Sequence, residues 1–223
     1  MVDVAARPVR RPAGARRLER RRTSRDRIVR AATPLFLRRG YSGTTIEAIA
    51  HRAGVSVQTI YNVVGSKGAV FKAVYDVTIA GDADPIPIIE RPTAQAMLAA
   101  GKGRDCLAYY AQMSREIVQR VGPLLSVAMA EASSGDREIR RFVTTVERER
   151  AIGTRNIATH IQEHFGLRPP LTLDEAADIL WTLTAPEVAD RLVRRRHWTL
   201  KQYEEWLAGA MADAVLPANE SLR

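Results

Sequence analysis

Apolar residues recur along this 223-residue chain at the three- and four-residue spacing of amphipathic helices. No segment alternates apolar and polar residues over a length useful for a strand, so we predict an all-α fold. Within residues 23–80 the pattern predicts four short helices, separated by turns at Gly40, Gly54 and Gly65. Their inward positions are Ile28, Ala31, Ala32, Leu35, Phe36, Ile46, Ile49, Ala50, Ala53, Ile60, Val70, Phe71, Val74 and Tyr75.

Helix-capping residues stand before each of these helices. Thr23-Ser24-Arg25-Asp26 and Thr44-Thr45-Ile46-Glu47 both fit capping boxes, in which a hydroxyl and an acidic side chain satisfy the first backbone N–H groups. Ser56 is predicted to cap a helix from Val57 to about Val63, and Ser66 to cap the fourth helix.

The remainder of the chain also has helical periodicity. After a proline-containing linker, helices are predicted over about 93–119, 124–132 and 136–165, with Gly122-Pro123 ending the first of them. The buried stripe of the third is predicted to include Ile152. Thr172-Leu173-Asp174-Glu175 fits a capping box for a further helix, and a last helix follows Thr199.

The excess of positive charge lies at one end of the chain. The sequence has 34 Lys and Arg against 25 Asp and Glu, a net charge of +9; residues 1–80 hold 16 of the basic and 5 of the acidic residues. A basic segment joined to a near-neutral remainder indicates a polyanion-binding module attached to another domain. Residues 1–22 are Arg-rich and have few apolar residues, so we expect a disordered basic arm that either contacts DNA or is a solvated tail.

Helix, tight turn at Gly54 and helix form the helix-turn-helix arrangement, in which the second helix offers its N-terminal residues to base edges. An ordinary αα-hairpin has the same spacing. The outward residues of the second helix favour the DNA-binding interpretation, because their side chains all end in hydrogen-bonding groups. They are Gln58, Thr59, Tyr61 and Asn62. Lys67, in the first turn of the fourth helix, is a candidate phosphate contact.

Residues 23–75, about a quarter of the chain, closely resemble the DNA-binding domain of the TetR family of bacterial transcriptional regulators. The resemblance is carried by Gly40-Tyr41-Ser42-Gly43-Thr44-Thr45-Ile46, Ile49-Ala50, Ala53-Gly54-Val55-Ser56, Thr59-Ile60-Tyr61 and Ser66-Lys67. The resemblance implies an all-helical homodimer whose variable C-terminal domain binds a small molecule that releases DNA. It implies base contacts by Val57, Gln58 and Tyr61, and phosphate contacts by Thr45, Thr59, Asn62 and Lys67. Val63-Val64-Gly65 departs from the family pattern, and Val63 cannot donate to a phosphate.

Residues 180–207 resemble the C-terminal end of many regulators of this family, through Leu180-Trp181-Thr182-Leu183-Thr184-Ala185-Pro186-Glu187-Val188, Trp198-Thr199 and Tyr203-Glu204-Glu205-Trp206-Leu207. In that family the corresponding helices pair across a two-fold axis as a four-helix bundle. The resemblance implies a dimer interface containing Leu173, Ala177, Leu180, Tyr203, Trp206 and Ala210.

Methionine and aromatic side chains suit adaptable apolar pockets, and they also serve as ordinary core. Those in residues 81–223 that are candidates to line an effector pocket are Met97, Tyr109, Tyr110, Met113, Met129, Phe142 and Trp181.

Residues for catalysis or metal binding are sparse. His160 and His164 have the i, i+4 spacing that can hold a metal, but no Cys or carboxylate completes that face, so we expect an ordinary helix surface, no metal and no cofactor. Cys106 is the one cysteine and is expected to be a buried thiol. No nucleophile, base and orienting group occur together, so we do not expect an enzyme.

These observations predict a disordered basic arm over 1–22, a helix-turn-helix DNA-binding domain with a linking helix over 23–80, and a helical ligand-binding and dimerisation domain over 81–223. We predict a cytoplasmic, sequence-specific transcriptional repressor without a membrane segment. It would bind a pseudo-palindromic operator in double-stranded DNA as a homodimer and be released by an unknown small-molecule effector. The alternative is a non-specific or architectural nucleic-acid-binding protein acting through the arginine-rich arm.

Overall fold

The computed structural model describes residues 13–81, 87–132 and 135–218, and every long regular element within these ranges is an α-helix. The helices are α1 (Ala13–Arg39), α2 (Ile46–Ala53), α3 (Val57–Val63), α4 (Lys67–Ala80), α5 (Pro92–Leu98), α6 (Gly103–Ala132), α7 (Arg137–His164), α8 (Leu173–Leu183), α9 (Pro186–Ala189) and α10 (Leu200–Val215). A 3₁₀ turn, Ile88–Glu90, precedes α5, and a π-helical segment, Asp190–Arg195, follows α9. The predicted all-α class is confirmed.

The chain forms two compact units that divide between Val74 and Tyr75, within α4. In the first unit, α2 and α3 both pack against α1 and against each other. The inward positions predicted for residues 23–74 are all buried, so the hydrophobic pattern gave the correct faces of these helices.

Three aromatic rings fix the base of the first unit. Phe36 at the end of α1, Tyr41 in the following loop and Phe71 in α4 are fully buried. The Phe36 ring lies edge-on to Phe71, with centroids 4.9 Å apart, and Tyr41 lies edge-on to Phe71 at 5.5 Å. These edge-to-face contacts hold the start of α4 against the end of α1.

Helix α1 begins ten residues before the predicted start. Thr23 was predicted to cap the helix, but it lies inside it and donates its hydroxyl to the Glu19 carbonyl (2.9 Å). Residues 13–22 are rich in Ala, Leu, Glu and Arg, all good helix formers, which continue the helix toward the N-terminus. The part of the predicted disordered arm that the structure describes is therefore helical, and residues 1–12 lie outside the described ranges.

The capping residue of α2 is one position later than predicted. Thr44 is buried and donates its hydroxyl to the Gly40 carbonyl (2.8 Å), which removes it from the capping box. Thr45 takes its place, and its side-chain oxygen accepts from the Ala48 N–H (3.1 Å).

In the second unit, α6 packs against α5, α7, α9 and α10, and α8 packs against α7 and α10. The core between them contains, among others, Leu107, Ile157, Ile161, Leu180, Leu207 and Met211. Asp136 caps α7 as predicted, accepting from the Glu138 and Ile139 N–H groups at 2.8 and 3.1 Å.

The prediction that Gly122-Pro123 ends a helix is wrong, because α6 runs through both residues. Proline removes one backbone hydrogen bond from a helix interior. Val121 and Leu124, on either side of it, are nonetheless buried. Burial of this continuous apolar stripe outweighs the local loss, since tertiary packing supplies most helix stability in proteins.

The predicted burial of Ile152 is also wrong, because its side chain is 54% exposed. Thr154 occupies the inward position of α7 instead, one turn before the buried Ile157. A threonine thus takes the place of an apolar residue at this point in the buried stripe of α7.

The predicted capping box of α8 is present and gives a stability test. Thr172 Oγ1 accepts from the Glu175 N–H, and Glu175 accepts in return from the Thr172 N–H (2.8 Å). The bonds that the Glu175 carboxylate accepts from the Thr172 N–H and hydroxyl lower its pKa. Their stabilisation is therefore present above the usual pKa of a glutamate and is lost as the pH falls through the lowered value.

We expect Thr172→Ala to reduce the unfolding free energy of the second unit by about 1 kcal/mol at neutral pH, since the helix loses its cap. All three tryptophans, Trp181, Trp198 and Trp206, lie in this unit, so urea unfolding followed by tryptophan fluorescence reports on it. The control is Thr182→Ala, which removes a hydroxyl bonded only to the Asp178 carbonyl within the same helix. Equal losses in both variants would contradict a specific capping role.

Candidate nucleic-acid interface

The turn between α2 and α3 depends on a glycine in the left-handed region. Gly54 has φ of +62°, which L-amino acids with a Cβ rarely adopt, and its N–H bonds the carbonyls of Ala50 and His51. The Val55 N–H also donates to the Ala50 carbonyl (3.1 Å). These bonds close the C-terminus of α2 and turn the chain abruptly into α3.

Arg27 of α1 holds the same turn from outside. Its Nη2 donates to the carbonyls of Ala53 (2.7 Å) and Gly54 (3.0 Å). The last carbonyls of a helix have no partner within it, and a guanidinium satisfies them and is favoured by the helix dipole. A Cβ built on Gly54 would lie 2.8 Å from this Nη2, so the two residues constrain each other.

Helix α3 is fixed by one apolar contact and one cap. Ile60 is the buried residue of this seven-residue helix. Ser56 caps it as predicted, with its Oγ accepting from the Thr59 N–H (3.1 Å). The exposed residues of α3, Gln58, Tyr61 and Asn62, face solvent on the opposite side.

The outward face of α3 carries the side chains predicted to meet bases. Tyr61 is 52% exposed, Gln58 and Asn62 are exposed, and Val57 is half-buried. Gln58 Nε2 donates to Asn62 Oδ1 (2.9 Å), so these two side chains hold each other on one side of the helix. This surface offers amide and phenol groups together with an aromatic ring, which suits base edges in a major groove.

Three of the residues predicted to contact phosphate form hydrogen bonds within this unit. Thr45 is exposed at the N-terminus of α2, and its hydroxyl oxygen accepts from a backbone N–H, which leaves the O–H proton to donate. Thr59 is half-buried, with its Oγ1 2.8 Å from Ser56 Oγ. Lys67 Nζ donates to the Tyr41 carbonyl (3.1 Å) and lies 4.1 Å from the centroid of its ring. A phosphate would use the other ammonium protons of Lys67.

Sequence reasoning missed a basic groove beside the turn. It is open to solvent and is lined by Arg27, Arg30, Ala31, His51, Arg52, Ala53 and Gly54. The signal in the sequence was the i, i+3 pair Arg27 and Arg30 on α1, together with Arg52 near the end of α2. The groove increases the positive field next to α3, which favours a polyanion.

The predicted effector-pocket residues do not all lie together. Met97 and Tyr110 are buried in the core of the second unit, and Met113 packs against it. Phe142 packs edge-on against Tyr75, with centroids 5.2 Å apart. Trp181 is half-buried. Tyr109 and Met129 are each 38% exposed and lie beside the core stripe of α6, next to the buried Tyr110 and Ala128.

The predicted dimer-interface residues also separate into two groups. Ala177, Leu180 and Tyr203 are buried within the subunit and offer almost no surface to a partner. Leu173, Trp206 and Ala210 keep part of their surface exposed. The core of the subunit itself uses the inner faces of α8 and α10, and the half-buried residues lie at the edges of those faces.

The remaining chemical candidates are placed as follows. Cys106 is fully buried, and burial raises the pKa of its thiol to about 11, so it is protonated and unreactive at neutral pH. His160 and His164 lie side by side with ring centroids 4.2 Å apart. No cluster of three or more metal-ligating side chains occurs among the described residues, and no helix there has both the length and the apolar character needed to cross a bilayer.

The geometry defines a class of protein: a helix-turn-helix unit with a polar reading face and a basic flank, followed by a helical second unit. Comparison with known proteins gives the family. Residues 28–74 match the family of bacterial regulatory proteins called the tetR family. Residues 28–74 therefore form a DNA-binding domain of the kind found in this family, which confirms the resemblance seen in the sequence, and the protein is a DNA-binding transcriptional regulator.

Solved structures of similar fold cover both units. SmeT in complex with triclosan is 17% identical, with a TM-score of 0.66 over 88% of this chain and 93% of that chain. A TetR transcriptional regulator from Chloroflexus aurantiacus is 21% identical, with a TM-score of 0.62 over 89% and 98%. Reduced Escherichia coli NemR is 18% identical, with a TM-score of 0.62 over 86% and 97%. No curated protein sequence matches the chain.

Gly54→Ala tests the turn. A non-glycine residue in the left-handed region costs about 1–3 kcal/mol, and relief of the contact with Arg27 would break the hydrogen bonds of its guanidinium. We expect a lower melting temperature for the first unit, followed by far-ultraviolet circular dichroism, and weaker binding to duplex DNA.

The control for this variant is Gly153→Ala in α7, where a Cβ meets open space and alanine favours the helix. Wild-type melting and DNA binding in Gly54→Ala would contradict the constraint described for this turn.

Proposed function

We propose that this regulator is a homodimeric repressor that reads a pseudo-palindromic operator with α3 and is released from it by a small molecule bound in the second unit. The observation that carries the proposal is the exposed polar face of α3, held in place by Gly54, Arg27 and Ile60. A recognition helix must be rigidly presented if side-chain hydrogen bonds are to distinguish bases. The basic groove next to it supplies attraction that is independent of sequence.

The base-reading residues that we propose are Val57, Gln58 and Tyr61. Gln58 can bond adenine through its amide, and the Tyr61 ring can pack on a thymine methyl group while its hydroxyl bonds a base or phosphate. We assign backbone positioning to Thr45, Thr59, Asn62 and Lys67. Thr45 and Lys67 lie in the first turns of α2 and α4, where the helix dipole also favours an anion.

The two-fold assembly that we propose uses the edges of α8 and α10. Leu173, Ile179, Leu183, Trp206 and Ala214 pack on the core yet keep exposed apolar surface. Ala210 is half-buried on α10 and is suited to close helix packing. A two-fold dimer places two copies of α3 on half-sites about 34–36 Å apart or a multiple of this distance, which is why the operator is expected to be pseudo-palindromic.

Release by a small molecule is supported by the helical second unit and by a protein of similar fold, SmeT, whose structure is a complex with triclosan. A ligand that binds one arrangement of the dimer better than another shifts the population away from the DNA-binding arrangement. This role needs no catalysis, and we propose that the protein acts by binding alone.

Selection of bound duplexes from a random pool supplies the operator and tests sequence reading. Tyr61→Ala is expected to reduce discrimination between the selected and a scrambled duplex by about 1–3 kcal/mol, since a base contact is lost. Lys67→Ala is expected to weaken both duplexes alike and to lower the slope of log affinity against log salt by about one per subunit. Fluorescence anisotropy titrations at several salt concentrations measure both effects.

A deletion of residues 1–22 is the control for the arginine-rich segment. Equal binding of the selected and scrambled duplexes by the wild type, abolished by this deletion, would reject sequence reading in favour of non-specific binding.

Ala210→Glu tests the dimer. A carboxylate within a packed helix pair is left without a partner, so we expect sedimentation velocity to show a monomer where the wild type sediments as a dimer, with loss of operator binding. Ala151→Glu, an exposed alanine of α7, is the matched control and is expected to remain dimeric. A dimer in both variants would contradict this interface.

A further inference from the structure

A group of polar side chains lies within the apolar core of the second unit, and two of its donors have no partner. Tyr203 is fully buried, and its hydroxyl forms no hydrogen bond within the described part of the chain. The indole Nε1 of Trp181 is also buried and unpartnered there. Almost all buried polar atoms in proteins are hydrogen-bonded, so two unpartnered donors in one core require an explanation.

Arg150 brings positive charge to the same place. Its side chain is only 16% exposed, and its Nη1 forms an ion pair with Glu147 Oε2 at 2.7 Å. Its Nη2 donates to the Trp181 carbonyl (2.8 Å), and its guanidinium carbon is 5.4 Å from the centroid of the Trp181 ring. The guanidinium has five N–H groups, so donors remain beyond these two bonds.

The tyrosines of this group act as donors at neutral pH. Burial raises the pKa of both Tyr110 and Tyr203 to about 12, although the charge of Arg150 acts in the opposite direction on each. The Tyr110 hydroxyl already bonds the Thr184 side chain, whereas that of Tyr203 has no such contact. The charge of Arg150 therefore acts on the pKa of both phenols.

The surroundings of these polar groups are apolar. Tyr110 and Tyr203 belong to the same buried cluster as Leu107, Leu180 and Leu207, and Leu180 precedes Trp181 in α8. Trp181 is only half-buried, so the group extends from the interior toward the surface. A molecule that satisfied these donors would also contact hydrocarbon.

We propose that Arg150, Trp181 and Tyr203 bind the carboxylate of an organic acid whose apolar body lies in the core of the second unit. This inference rests on the proposed function, and it names the chemical class of the effector. The Arg150 guanidinium and the Trp181 indole only donate, and the Tyr203 hydroxyl is able to donate. Carboxylate oxygens are acceptors that pair with guanidinium in particular. The positive charge of Arg150 would repel a cationic ligand, and the carboxylate of Glu147 is already paired with Arg150.

Tyr203→Phe provides the sharpest test, because it removes only the unpartnered hydroxyl. Without ligand, the variant loses no hydrogen bond, so its melting temperature is expected to equal or exceed that of the wild type. Carboxylate affinity is expected to fall about ten- to hundredfold, since one hydrogen bond to a charged group is lost. A purely structural hydroxyl would instead lower the melting temperature when removed.

The probes are octanoate, decanoate, benzoate and 4-phenylbutyrate, each paired with its neutral amide and its amine analogue, in calorimetric titration of the full-length protein. We expect at least one carboxylate to bind more tightly than its amide and amine. Tyr109→Phe, at the exposed neighbour of Tyr110, is the control and is expected to bind as the wild type does. Trp181→Phe is expected to weaken binding through loss of the indole N–H.

The inference is overturned if no carboxylate binds, if the amides or amines bind equally well, or if Tyr203→Phe binds with wild-type affinity. Anisotropy of the selected operator, measured with the same compounds, separates this inference from the proposed function. Tyr203-dependent carboxylate binding without DNA release would support the site and reject release by this ligand class. Release by uncharged compounds alone would reject the carboxylate and leave the proposed function standing.

Discussion

The docking of α3 is the constraint on which DNA recognition depends. A seven-residue helix does not persist in water by itself, because the cost of helix nucleation is not repaid over two turns. This one is held by the burial of Ile60, the Ser56 cap and the left-handed turn at Gly54. Arg27 adds a connection from α1 to the turn, so the longest helix of the first unit sets the orientation of the shortest. Residues that never touch a base thereby determine where Tyr61 and Gln58 lie.

The two units use polar groups in different ways. In the first, the side chains of Arg27, Thr44 and Ser56 all bond backbone groups around α2 and α3. This produces a rigid surface. In the second, Tyr203 and Trp181 bury donors that have no partner among the described residues of an apolar core. Such groups lower the stability of the free protein and raise its selectivity for a molecule that can satisfy them.

The sequence predicts correctly those features that depend on residues close together along the chain. The apolar faces of α1 to α4, the Ser56, Asp136 and Thr172 caps and the turn at Gly54 all follow from spacing and capping chemistry. The predictions were wrong where contacts between residues distant in sequence determine the structure. Either Thr44 or Thr45 could have capped α2, and only the Gly40 contact selects between them. Pro123 lies within α6 because packing outweighs a lost backbone bond. An apolar residue such as Leu180 has the same pattern whether it packs inside its own subunit or against a partner, so the sequence could not separate the two.

The left-handed turn at Gly54 has a further consequence for the unfolded chain. Glycine samples more backbone conformations before folding than any other residue, so fixing Gly54 at a φ of +62° costs more conformational entropy than fixing a residue with a Cβ. The contacts that offset this cost are those of Arg27 with the end of α2, so the ordering of the turn is coupled to the packing of α1.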